Sequence, residues 1–109
     1  MLVMSQPVAG REDEYNDWYQ HVHLHEVVAL PGFTSARRFR RARSLVAGDT
    51  YPYLAVYEIE TDDIDAVLDG LRAAAENKDL NMSDALDTGH TRAVVYEEFG
   101  AVVNEQGDS

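Results

Sequence analysis

Residues 18–33 read WYQHVHLHEVVALPGF and place three histidines on alternate positions beside a tryptophan and a tyrosine. Imidazole titrates near neutrality, so a histidine against an aromatic wall is a candidate general acid or base. Two histidines four apart on a helix are a candidate metal clamp. Helical geometry separates the two chemistries. At about 100° per residue, Tyr15, Trp18, Tyr19 and Val22 share a face, His23 stands at its edge beside Tyr19, and His21 points away. His23 is therefore the expected catalytic residue, with a core-edge histidine bonded to a backbone carbonyl as the bland alternative. Asn16 or a tyrosine hydroxyl within its reach would favour catalysis. His21 and His25, with Glu26 adjacent, have no signalled third ligand and are expected on the helix surface, so no metal is expected. His90 sits in a polar, acidic loop that does not suit a haem ligand.

The expected substrate contacts are Trp18, Tyr19, Phe33, Arg38, Tyr57, Met82 and Tyr96. The hydroxyls of Tyr53, Tyr57 and Tyr96 would converge on the cleft as orienting donors if they face the helices; alternation pairs Tyr53 with Tyr57 without fixing their face. The arginines at 37, 38, 40, 41 and 43 are expected to offset Glu58 and Glu60 on the next strand, leaving Arg38 as a candidate for a substrate carboxylate. Met82 and Asp84 would close the cleft or form an ordinary capped turn. The chain has no Gly-rich phosphate loop, no serine elbow, no paired-carboxylate signature and no cysteine, so cofactor-dependent chemistry has no support.

Positioning these groups takes six elements. Residues 1–6 are a short apolar run ended by Pro7 and Gly10, a first strand. Acids at 12, 13 and 14 favour the start of a helix, which Leu30-Pro31-Gly32 must stop. FTSARRFRRAR, within residues 33–45, reads as an outer or interface strand. After the turn signal Ala47-Gly48-Asp49, YPYLAVYEIE alternates as a third strand, with Pro52 tolerated near its start. Thr61 or Asp62 caps a second helix lined by Ile64, Val67, Leu68, Leu71 and Ala75. Residues 83–86 form one helical turn capped by Ser83, TRAVVYEEF makes the last strand, and VNEQGDS is a frayed tail. The order βαββαβ gives an α+β, ferredoxin-like domain: a four-stranded antiparallel sheet with two helices on one face. Strand residues such as Met4, Tyr53, Val56, Val94 and Val95 are too apolar for an open sheet, so a second copy is expected to pack on its other face.

The 109 residues suffice for one core, a domain over 1–100 with a tail over 101–109. Twenty acidic residues against nine basic ones, a net charge of -11, disfavour a nucleic-acid partner because phosphates would be repelled. The N-terminus turns acidic after a few apolar residues, which suits neither a signal peptide nor a membrane span, so a cytoplasmic protein is expected.

GREDEYNDWYQHVHLHEVVALPGFTSARRF, followed by YLAVYEIE, MSDAL and VVYEEF, resembles the EthD-like branch of the dimeric α/β-barrel superfamily over nearly the whole chain. The most specific elements are the tryptophan-tyrosine pair, the histidine four residues after the tyrosine, and Pro-Gly-Phe at the second strand. Family members carry Pro-Asp where His25-Glu26 stand, which implies a different local helix path. The resemblance implies a dimeric α/β barrel and offers a range of chemistries without selecting one. The expected function is a small homodimeric, cofactor-free enzyme in which His23 moves a proton to dehydrate, cyclise or isomerise an aromatic or polyketide-like molecule. The alternatives are a non-catalytic ligand-binding or accessory protein of the same fold, and a cofactor-free oxygenase.

Overall fold

A computed structural model describes residues 1–48 and 50–105. The turn expected at Ala47-Gly48-Asp49 and the expected tail each include positions, 49 and 106–109, that lie outside the described residues. The chain runs β1 (Leu2–Ser5), α1 (Glu12–Trp18), a π-helical turn (Tyr19–His23), α2 (Leu24–Val28), β2 (Phe33–Arg40), β3 (Tyr53–Ile59), α3 (Ile64–Glu76), a 3-10 turn (Thr88–His90) and β4 (Arg92–Val94). The segments from α1 to α2 follow one another without a break, so the α+β order is the expected βαββαβ. All strand pairs are antiparallel in the order β2-β3-β1-β4.

Register fixes which side chains meet the helices. Ser5 pairs with Tyr53, Val3 with Ala55 and Arg38 with Ala55, placing these side chains on the face that carries Tyr57. Tyr53, Ala55 and Tyr57 are buried there with Tyr15, Trp18, Tyr19, Leu24 and Val27 of the first helical segments and Val67 of α3. Both helices therefore share one core on one face. The opposite face carries Leu2, Met4, Phe39, Leu54, Val56 and Val94.

The stop at Leu30-Pro31-Gly32 has a steric basis. Gly32 has φ +92°, and a Cβ there would meet Val67 Cγ2 at 2.4 Å, so the turn into β2 passes against α3 where only glycine fits. The Gly32 carbonyl accepts from Glu60 N at 2.9 Å and ties this turn to the end of β3.

Four sequence expectations are corrected. The last strand spans only Arg92–Val94: Val94 pairs with Leu2, where β1 begins, so the ladder gives later residues no strand to join. The cap of α3 is Asp63, whose carboxylate accepts from Ala66 N at 3.1 Å, while Thr61 Oγ1 accepts from Asp63 N. Its buried stripe is Val67 and Ala74 with half-buried Leu68 and Leu71, whereas Ile64 and Ala75 are exposed. Residues 83–86 form a turn rather than a helical one. Ser83 Oγ accepts from Ala85 N, and Leu86 then bridges to Pro7, so backbone pairing with residues 6–8 takes the place of helical bonds.

Candidate functional site

The helix carrying His23 is wound more loosely than an α-helix. The Leu24 N–H donates to the Tyr19 carbonyl, five residues back, and this π turn brings residues five apart onto one line. His23 consequently stacks on Trp18, with centroids 4.7 Å apart and planes at 26°, and meets Tyr19 edge-on at 5.1 Å. Without proline at 25, the helix continues through His25-Glu26 into α2. The stack is pinned from outside: Trp18 Nε1 donates to the Asn81 carbonyl at 2.6 Å, and the Glu26 carboxylate accepts from Asn81 N and Nδ2 at 2.8 and 2.7 Å.

His23 is half-buried, and its Nδ1 is buried with no hydrogen-bond partner. Burial lowers its pKa below the ordinary 6.5, only partly opposed by the Glu26 charge, so the ring is neutral at pH 7. The Tyr57 hydroxyl is also buried and makes no well-formed hydrogen bond, although the Tyr19 hydroxyl is near enough to interact with it. Burial, reinforced by neighbouring Tyr19, pushes its pKa up strongly. Tyr19 is itself raised to about 12, chiefly by burial. Both hydroxyls therefore stay protonated and can act as donors. Phe33 meets the Tyr57 ring edge-on at 6.1 Å. Leaving a buried polar atom unpaired costs on the order of 1–3 kcal/mol, so two such atoms flanking Tyr19 mark a place where a further polar group would be stabilising.

The other side of Tyr19 is cationic. The Arg38 guanidinium carbon lies 5.5, 4.8 and 5.3 Å from the ring centroids of Tyr15, Tyr19 and Tyr53. Its Nη2 donates to Asn16 Oδ1 at 2.8 Å and its Nη1 to the Asn16 carbonyl at 3.5 Å. Asn16 Nδ2 donates to the Tyr53 hydroxyl at 3.2 Å, and that hydroxyl donates to Glu12 Oε2. Beneath, the Tyr15 hydroxyl and Ser5 Oγ lie 2.5 Å apart. A cavity of about 280 Å³ opens here, lined by Asn16, Gln20, Arg38, Phe39, Arg40 and Tyr53. His23 is not one of its walls, although Tyr19 touches both His23 and Arg38.

The arginines of β2 do not offset Glu58 and Glu60. The register sets Arg37 opposite Val56, Arg38 opposite Ala55 and Arg40 opposite Tyr53, and none of them is in an ion pair among the described residues. Asn16 points to Arg38 and Tyr53 rather than serving His23. That role, and Tyr53's place in the same cluster, was not legible, because alternation groups Tyr53 with Tyr57 without giving the face.

Trp18, Tyr19, Phe33 and Tyr57 come together around the core, and Arg38 joins them through Tyr19. Tyr96 is 71% exposed beyond β4, and Met82 is 56% exposed in the loop after Asn81, so neither joins that cluster. Tyr96 shares with Tyr57 a separate cleft of about 680 Å³ flanked by Glu58, Glu60, Glu97 and Glu98. Asp84 is exposed. His21 and His25 are exposed, His21 lying 3.9 Å from Asp17, and His90 Nδ1 is 2.9 Å from the Asp87 carboxylate. Among the described residues, no group of three or more acidic or histidine side chains is arranged to hold a metal ion, and no helix is long and apolar enough to cross a membrane. No family model, curated protein or solved structure matches this chain.

Proposed function

We propose that this protein acts on a small organic molecule held between the first helix and the sheet, with His23 moving a proton and no cofactor required. The observation that carries this reading is the pair of buried polar atoms without a well-formed hydrogen bond, His23 Nδ1 and Tyr57 Oη, on two residues that each neighbour Tyr19. A neutral imidazole is competent as a base, and a protonated tyrosine hydroxyl is competent to steady a developing oxyanion. Dehydration, cyclisation and isomerisation share that requirement, a base and later an acid near a carbon acidified by a carbonyl. Trp18 and Tyr19 are buried against His23, and their flat rings would match an aromatic or polyketide-like skeleton admitted beside them. This reading agrees with the resemblance to the EthD-like proteins.

Screening candidate intermediates drawn from the neighbouring genes, first with the native chain and then with His23→Gln, tests it. Glutamine keeps volume and hydrogen bonding but exchanges no proton near pH 7, so turnover is expected to fall about a hundredfold or more with little change in ligand binding. Full turnover by His23→Gln would remove the assignment. A non-catalytic ligand-binding role is the second reading, favoured by the position of His23 outside the Arg38 cavity.

The assembly we propose is a homodimer joined through the sheet face opposite the helices. Its support is that face's row of aliphatic and aromatic side chains, of which Phe39 is 43% and Val94 38% exposed.

A further inference from the structure

We infer that the cavity at Arg38 binds the carboxylate of an aromatic acid, so that the molecule on which the protein acts is anionic; this substrate class rests on the proposed function, whereas the binding site itself does not. Among the described residues, Arg38 has no carboxylate within ion-pairing distance. Its hydrogen bonds go to two oxygens of Asn16 and it also interacts with the Tyr15 hydroxyl, which leaves part of a five-donor guanidinium unused.

That arrangement is unusual in a chain of net charge -11, where acidic partners are abundant. The cavity wall contains two guanidiniums, Arg38 and Arg40, two amides, Asn16 and Gln20, and no carboxylate. Glu12, the nearest acid in the hydrogen-bond network, is engaged by the Tyr53 hydroxyl. The three tyrosine rings pack against the half-buried guanidinium and limit its movement, which favours a charge-assisted pair with a planar, two-oxygen anion.

The remaining walls select among anions. Phe39 and Tyr53 supply aromatic surface beside the polar groups, and about 280 Å³ is close to the lower end of small-molecule sites. A ring bearing a carboxylate satisfies both features, whereas a strongly hydrated phosphate would leave the aromatic walls without a partner. Bound there, the acid would meet Arg38, whose guanidinium carbon lies 4.8 Å from the centroid of the Tyr19 ring that His23 meets at 5.1 Å.

Calorimetric titration of the full chain with benzoate, benzamide and inorganic phosphate tests the site. Benzoate is expected to bind at least about tenfold more tightly than benzamide, the isosteric neutral probe, and than phosphate. Arg38→Gln should abolish the preference for benzoate over benzamide. Because Arg38 packs on three tyrosines, Asn16→Asp provides a second variant: it places a carboxylate where an amide oxygen already sits 2.8 Å from Arg38, and should block benzoate while leaving the far-ultraviolet dichroism unchanged. His23→Gln should leave benzoate affinity within about twofold, so a failure of the catalytic reading would not disturb this result. Equal binding of benzamide, tighter binding of phosphate, no binding of benzoate, or benzoate affinity that survives both Arg38→Gln and Asn16→Asp would overturn the inference.

Discussion

Stacking His23 on Trp18 and edge-on to Tyr19 removes water from an imidazole that would otherwise titrate at 6.5, and its pKa falls. Two consequences have opposite readouts. For a general base, the rate should rise with pH through a value below 6.5 and stay level through neutrality, which a pH profile of kcat/KM measures. For stability, the unfolded chain takes up the proton first: between 6.5 and the lower folded value it binds more protons than the native protein. The contribution of His23 is therefore complete above 6.5 and is lost as pH falls through that window. Urea midpoints measured from pH 7 to pH 5 should decline more steeply in the native chain than in His23→Gln. A parallel decline in both would show that the ring is as well hydrated in the folded protein as in the unfolded one. The nearness of His23 to Tyr19 could be read from a spacing of four. Its stacking on Trp18, five residues back, could not, because a π turn has no side-chain signature in this sequence. The pairing of Asn16 with Arg38 was hidden for another reason, since it joins α1 to a strand more than twenty residues later and depends on a register that no local pattern specifies.

Elements whose periodicity was unambiguous were legible, and their ends were not. Strand β3 alternates cleanly, and Tyr53, Ala55 and Tyr57 all turn inward as that alternation requires. The end of β4 is set instead by where its neighbour β1 begins, which is a property of the pair. The cap of α3 fell on Asp63 because several polar residues in succession offer similar capping chemistry, and only the local chain path chooses among them. The tightest constraint on element placement is Gly32, where the turn after α2 meets Val67 of α3. Gly32→Ala would force a left-handed conformation on an L-residue and drive its Cβ to 2.4 Å from a valine methyl, so a loss of about 2 kcal/mol or more is expected. Chemical denaturation checks this as a fall in midpoint at unchanged slope. A loss below about 0.5 kcal/mol would mean that α3 shifts away from the turn at little cost.

The described residues form a single layer of helices on a single sheet, and among them no helix covers the other side of that sheet. Leu54 stands at the centre of the uncovered face, paired with Met4 on β1 and Phe39 on β2, and a cavity of about 490 Å³ opens among these side chains. A self-complementary contact is chemically available there, because Arg37 and Glu58 lie on the same face and a two-fold axis lets each meet the other across the seam. Beyond β4, Phe99 is wholly exposed, and Val102 and Val103 are 82% and 84% exposed. A second copy covering the sheet would remove about 800 Å² per partner from water if the contact is of ordinary size, enough for a stable dimer at micromolar concentration. Sedimentation equilibrium should accordingly give twice the 12.2 kDa of one chain. Leu54→Glu should give the single-chain mass with the circular dichroism retained, because Leu54 is half-buried in one chain and a partner would take the charge fully out of water. A native chain that sediments as a monomer would remove the dimer, and a Leu54→Glu variant that stays dimeric would move the contact to another surface. Arg38 and Tyr53 lie on the helix side of the sheet, away from Leu54, so the preference for benzoate over benzamide should persist in the Leu54→Glu monomer; Phe39 reaches the cavity from the face that carries Leu54, and a loss of benzoate affinity on dissociation would mean that the partner helps to shape the wall there.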